Sequence, residues 1–163
     1  MLFTPMKIRG LTIRNRIIAS PMCQYLSVDG APSDWQLMHL GRLAIGGCGI
    51  VFGEETAVEP DGRKTHRCAG LYKQSHVDSY FKLTEMIKSN GAVPAIQLGH
   101  SGRKGSCHGA IEDWRALDKS DVANGLPPWQ VMTPTASVSP PRPIPHKEMD
   151  QTDINRVIDD FRT

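Results

Sequence analysis

The sequence predicts an α/β fold in which a parallel sheet is covered by helices. Three short apolar segments, residues 16–20, 49–53 and 92–98, have the length of buried strands. Helical spacing of apolar residues follows the first two segments, and a further helix closes the chain. Short apolar strands that alternate with helices are typical of parallel sheets.

The first half of the chain supplies a hairpin, a strand, a helix and a second strand. Ile8, Leu11 and Ile13 alternate with polar neighbours around Gly10, which predicts a hairpin turning at that glycine. Strand 16–20 follows, and a polar loop leads to a helix over residues 35–45, with Asp34 as its expected N-cap. Gly46 and Gly47 end this helix before strand 49–53.

The second half begins with another helix and strand and then becomes irregular. Apolar residues at helical spacing predict a helix over residues 76–90, with Gly91 after its C-terminal end. Strand 92–98 follows. About fifty irregular residues separate it from a last helix over 153–161, and a loop of that length is usually functional. Its tryptophans are expected to pack the loop, with contact to a pocket as the alternative.

Composition excludes several classes of protein. The 163 residues fit one domain, and 22% charged with 39% hydrophobic residues is typical of a globular protein. A net charge of +2 without a long basic run argues against nucleic acid as a partner. No apolar stretch approaches the roughly 20 residues that span a bilayer, and the N-terminus lacks a signal-peptide core, so we expect a cytoplasmic protein without a membrane partner. The four cysteines include no C-x-x-C pair, so no metal site is predicted.

Polar or reactive side chains follow each of the three predicted strands. The strand ends carry SPMCQY (residues 20–25), GEETA (53–57) and QLGHSGRK (97–104). In parallel α/β folds ligands bind at the carboxyl ends of the strands, so these segments are expected to line one site. Glu54 and Glu55 are not expected to act as a pair, because adjacent strand residues point to opposite faces. The absence of the two common glycine-rich phosphate loops favours a (βα) barrel over a doubly wound sheet.

Four segments, in this order, resemble the N-terminal half of the old yellow enzyme family, in its bacterial ene-reductase branch. They are LFTPMKIRGLTIRNRIIASPMCQY, DWQLMHLGRLAIGGCGIV, EETAVEPDGR and AIQLGHSGRK. The resemblance implies a (βα)8 TIM barrel, of which residues 1–163 form the N-terminal part of one FMN-binding domain. That part comprises the hairpin, three βα units and the long loop after the third strand.

The resemblance also implies a reaction. NAD(P)H would pass hydride through flavin N5 to the β-carbon of an α,β-unsaturated carbonyl or nitro compound, a small activated alkene. Such an enzyme is expected to form a homo-oligomer. In the family, the histidine pair that anchors the substrate and the loops that bind the FMN phosphate fall beyond residue 163.

The resemblance assigns roles to residues at the three strand ends. Ser20, Pro21, Met22 and Cys23 are expected to line the flavin, and Cys23 to act catalytically by tuning the flavin potential. Tyr25 is expected to be catalytic as well, by donating a hydrogen bond to the bound substrate. Gln97 would meet the pyrimidine side of the flavin with its amide.

Glu55 departs from the family pattern, which often has alanine at this flavin-binding position. We expect Glu55 to keep its backbone contacts with the cofactor while its side chain turns aside.

Two other functions remain open on the residues alone. The chain could be the N-terminal part of a dienoyl-reductase-like enzyme that carries an iron–sulfur cluster and a second flavin domain. It could also be a non-catalytic half-barrel that acts as a binding module.

Overall fold

The computed structural model of the chain describes residues 1–136 and 144–162. An antiparallel hairpin, β1 (Met6–Ile8) and β2 (Leu11–Ile13), opens the fold and turns at Arg9 and Gly10, as predicted. Strand β3 is limited to Ile18–Ala19, whereas the sequence predicted residues 16–20.

Helix α1 covers Asp34–Ile45, and its N-terminus corrects one prediction. Ser33, and not Asp34, is the N-cap. The Ser33 side chain accepts a hydrogen bond from the backbone N–H of Trp35, and the Gln36 side chain accepts one from the backbone N–H of Ser33. This reciprocal capping box satisfies two N–H groups that the helix leaves unpaired, whereas Asp34 lies inside the first turn.

Strand β4 is the centre of a four-stranded parallel sheet. It covers Ile50–Ala57, longer than predicted, because GEETA continues to pair with strand β6 (Val93–Gly99). Strands β3 and β5 (Ala69–Gly70) pair with the two ends of β4, so both lie along the edge opposite β6. The pair Ala69–Gly70 was not predicted as a strand.

Helices α1 and α2 (Gln74–Ser89) cover one face of the sheet. Leu40 and Ala44 of α1 and Leu83 and Ile87 of α2 form a buried core with Val51. Gly91 follows α2 with a positive φ of 76°, as the sequence predicted for a residue just after a helix.

Arg14 ties the hairpin to the ends of both helices. Its guanidinium donates hydrogen bonds to the backbone oxygens of Ala44 in the last turn of α1, of Cys48 after α1 and of Asn90 after α2.

The long segment after β6 contains a short parallel pair, β7 (Val131–Thr133) and β8 (His146–Glu148), among 3-10 turns. Pro140, Pro141 and Pro143 of the predicted irregular loop lie outside the described residues. Helix α3 covers Gln151–Asp160 and begins two residues before the predicted start, because the Asp150 side chain accepts from the backbone N–H of Asp153.

Candidate active site

β4 and β6 end level with each other at the pair Ala57–Gly99, whereas β3 ends earlier, opposite Val51. β3, β4 and β6 run in the same direction, so the segments that follow them leave the sheet on the same side. Glu55 of β4 and Gln97 of β6 are paired directly across the two strands. The predicted convergence is therefore present for β4 and β6, and the loop after β3 reaches the same region, where the Gln24 backbone N–H donates to Glu54.

Glu54 fixes the loop that follows β3. Its side chain is 5% exposed, and its carboxylate accepts hydrogen bonds from the backbone N–H of Gln24 (3.0 Å) and the side-chain amide of Gln36 (3.1 Å). Burial raises the pKa of this carboxyl group above its usual range. Glu54 thus connects the strand-end loop to α1, a role that sequence reasoning did not identify.

Cys23 and Tyr25 lie together in this loop. Their side chains lie close enough to interact with each other, and both are half-buried. Burial raises the pKa of the Cys23 thiol, and burial together with the neighbouring Cys23 raises the pKa of Tyr25. Both groups therefore keep their protons at neutral pH, and a protonated phenol at this position can donate a hydrogen bond.

Lys64 and Trp114 complete a cluster around Tyr25. The Tyr25 and Trp114 rings pack edge to face with centroids 5.4 Å apart. The Lys64 ammonium lies 6.0 Å from the Tyr25 centroid and 5.6 Å from that of Trp114. Lys64 was not among the residues predicted from the sequence, and contact of a loop tryptophan with a pocket was predicted only as an alternative. The signal for Lys64 was its place in the loop after a strand end.

The predicted flavin-contacting residues differ in exposure. Ser20, Met22 and Gln97 are exposed, while Pro21 and Glu55 are half-buried. Glu54 and Glu55 have separate partners, because Glu54 binds the loop and α1 while Glu55 pairs with Lys64 at 3.7 Å. This agrees with the expectation that the two do not form a dyad.

Both ring nitrogens of His100, which follows β6, have hydrogen-bond partners nearby in the structure. Its Nε2 lies 2.7 Å from a Glu59 carboxylate oxygen, and its Nδ1 accepts a hydrogen bond from the backbone N–H of Gly102. Glu59 also binds Arg156 of α3. The Glu59 carboxylate therefore connects His100, at the end of the sheet, to the last helix.

The carboxyl ends of parallel strands, which here carry a thiol, a phenol and an amide, are where ligands bind in (βα) barrels. The whole chain, residues 1–163, matches the model of the NADH:flavin oxidoreductase / NADH oxidase family. The chain belongs to this family.

Comparisons with individual proteins agree with this membership. An NADPH dehydrogenase of Geobacillus sp. strain WCH70 is 36% identical over 99% of this chain, which spans 42% of that relative's length. An NADPH dehydrogenase of Bacillus subtilis strain 168 is 41% identical over 68% of the chain and 33% of its own length. The old yellow enzyme resemblance and the predicted flavin and nicotinamide cofactors are thereby confirmed at the level of the family.

Solved structures confirm the fold class. Morphinone reductase superposes with a TM-score of 0.77 at 21% identity, over 99% of this chain and 42% of its own. Old yellow enzyme from Pichia sp. AKU4542 superposes with a TM-score of 0.76 at 19% identity, over 98% of this chain and 40% of its own. The chain therefore has the architecture of the N-terminal part of a TIM barrel. In the part of the chain that the structure describes, no helix has the length and apolar character needed to cross a bilayer.

Proposed function

We propose that residues 1–163 supply part of the flavin site and one side of the substrate site of an FMN-dependent ene-reductase. The observation that carries this proposal is the meeting of Cys23, Tyr25, Glu55 and Gln97 at one strand-end edge in a member of a flavin oxidoreductase family. When bound, FMN would supply hydride transfer from NAD(P)H to the β-carbon of an activated alkene.

The residues of this edge suit a flat, largely uncharged ring. Ser20 and Met22 are exposed beside the half-buried Cys23, so side chains and backbone groups of the first strand-end loop are accessible to a ligand. The exposed Gln97 amide can donate and accept hydrogen bonds, as a pyrimidine ring requires. Glu55 is the charged exception at this edge, and its carboxylate is paired with Lys64. This set of groups therefore fits an isoalloxazine ring.

Tyr25 is the residue we assign to the substrate. Its raised pKa keeps the phenol protonated, so it can donate a hydrogen bond to a carbonyl or nitro oxygen or to a developing negative charge. The Trp114 ring and the Lys64 ammonium restrict the position of the Tyr25 ring. Cys23, whose side chain interacts with that of Tyr25, places a polarisable sulfur beside the proposed flavin position.

The test is an FMN titration of the purified protein at its full natural length, followed by an alkene-reduction assay with NADPH. We expect flavin absorbance to be retained through gel filtration, and Gln97→Leu to weaken FMN binding about tenfold through loss of hydrogen bonds. Tyr25→Phe should lower kcat for an enone and leave FMN affinity unchanged. Gln151→Leu, on the exposed face of α3, is the matched control for the glutamine substitution.

Failure to bind FMN would contradict the proposal. A folded monomer that binds no flavin would instead support a non-catalytic half-barrel. Bound FMN with no turnover of activated alkenes would limit the proposal to cofactor binding.

A further inference from the structure

Glu55 places a carboxylate at the edge where we propose that FMN binds, and its side chain has contacts on two sides, with Gly99 and with Lys64. Its Cγ and Oε1 lie 2.6 and 2.7 Å from the position that a Cβ atom on Gly99 would occupy. The side chain therefore lies against the Gly99 backbone, and any larger residue at position 99 would displace it. Its Oε2 is 3.7 Å from the Lys64 Nζ.

Lys64 is anchored at both of its ends. Its backbone oxygen accepts a hydrogen bond from the backbone N–H of Cys107 at 3.0 Å, and the buried Cys107 thiol lies 3.4 Å from the same oxygen. Its ammonium lies near the Tyr25 and Trp114 rings, where a cation interacts favourably with the aromatic quadrupole. The cation is therefore held beside Glu55 by contacts that do not involve Glu55.

We propose that Lys64 is a positioning residue that holds the Glu55 carboxylate against Gly99 and cancels its charge at the cofactor edge. The inference rests on the proposed flavin function. An isolated carboxylate beside the ring would oppose any gain of negative charge there, because like charges interact strongly in a partly desolvated site. The ion pair removes this penalty, so a glutamate can be accommodated at this position.

The test compares Lys64→Met, Glu55→Gln and the double variant in the FMN-loaded protein. Lys64→Met should lower the equilibrium ratio of reduced to oxidised flavin about tenfold at a fixed reference potential, which is about 30 mV for a two-electron couple. Glu55→Gln should raise the ratio. The double variant should return to within about twofold of the wild type, since neither charge remains.

Lys73→Met is the matched control, because Lys73 forms an ion pair with Asp29 on another part of the surface. It should leave the flavin ratio unchanged. An unchanged ratio in Lys64→Met, or a double variant that keeps the full Lys64→Met shift, would overturn the inference.

A flavin-free measurement separates this inference from the proposed function. Lys64 lowers and Glu55 raises the pKa of the Cys23 thiol, so Lys64→Met should shift the pH profile of Cys23 alkylation to higher pH, and Glu55→Gln to lower pH. A Cys23→Ala variant identifies the signal. If the alkylation profiles shift but the protein binds no FMN, the proposed function is wrong and the Lys64–Glu55 ion pair is still supported. If the protein binds FMN and reduces alkenes but neither the flavin ratio nor the alkylation profile shifts, only the inferred role of Lys64 is wrong.

Discussion

Glu54 shows how a single buried carboxylate fixes a functional loop. Its oxygens accept from the Gln24 backbone N–H and the Gln36 amide. The Gln36 amide cannot turn over freely, because its oxygen already accepts from the Ser33 backbone N–H at 2.8 Å. Glu54→Gln therefore places an NH2 group against a donor, and we expect a loss of about 1–3 kcal/mol in the free energy of unfolding.

The same substitution should change how stability depends on pH. The folded-state pKa of Glu54 is raised above 4.5, so the folded state takes up a proton before the unfolded state does as the pH falls. As the pH falls from the folded-state pKa to 4.5, the ordinary value, protonation of Glu54 therefore adds to the free energy of unfolding. Urea unfolding should show a larger gap between wild type and Glu54→Gln at pH 5 than at pH 8. Glu85→Gln, in an exposed ion pair with Lys88, should show a difference near zero at both.

Two neighbouring residues, Ser33 and Asp34, compete for the N-cap position of helix α1. The Ser33 and Gln36 side chains form the capping box, whereas Asp34 has no capping hydrogen bond in the first turn. Ser33→Ala should cost about 1 kcal/mol of unfolding free energy, and Asp34→Ala about 0.5 kcal/mol through the helix dipole alone. Thermal or urea unfolding of the two variants decides between them. A larger loss in Asp34→Ala would contradict the observed cap.

Helix α3 is attached to the sheet through Glu59. This carboxylate is buried and binds His100 after β6 and Arg156 of α3. Arg156→Met leaves Glu59 with one fewer donor. Because the Arg156 side chain is 40% exposed and water can replace part of the contact, we expect a loss of only about 1 kcal/mol.

The effect of Arg156→Met should be local to α3. Hydrogen exchange of α3 amides should accelerate while the α1 and α2 amides stay protected. Arg162→Met is the control, since its pair with Asp159 is largely exposed. Equal exchange in both variants would show that the Glu59 contact does not hold the helix.

Across the whole molecule, periodicity predicted the long elements and missed the features made by distant contacts. Helices α1 and α2 follow from their apolar spacing, and β4 and β6 from their apolar runs. The two-residue β5 has no periodicity to detect. Lys64 and Trp114 are fifty residues apart in the chain and come together only in the folded structure, beside Tyr25, so local sequence cannot reveal their contact. Ser33 and Asp34 are both good N-cap residues, and only the position of Gln36 distinguishes them.

The outer edge of β6 is a surface at which copies of the polypeptide can associate. Within the described residues β6 pairs with β4 alone, and its Ile96 and Leu98 side chains are 36% and 41% exposed. Beside it, a cleft of about 500 Å3 is lined by Leu98, Val77 of α2 and Phe161 after α3. An unpaired strand edge with exposed apolar side chains promotes pairing with other chains. We therefore expect the 163-residue polypeptide by itself to self-associate at micromolar concentration, with a mass above 18.0 kDa in sedimentation.

Leu98→Lys should shift this association toward the monomer, because a charge on an edge strand opposes strand pairing. Phe81→Lys is the matched control: Phe81 is 65% exposed on α2, so this variant removes apolar surface without changing the strand edge. If the two variants dissociate the polypeptide equally, general hydrophobic contact and not edge pairing drives the association. A monomeric wild-type polypeptide would show that the β6 edge is protected in solution.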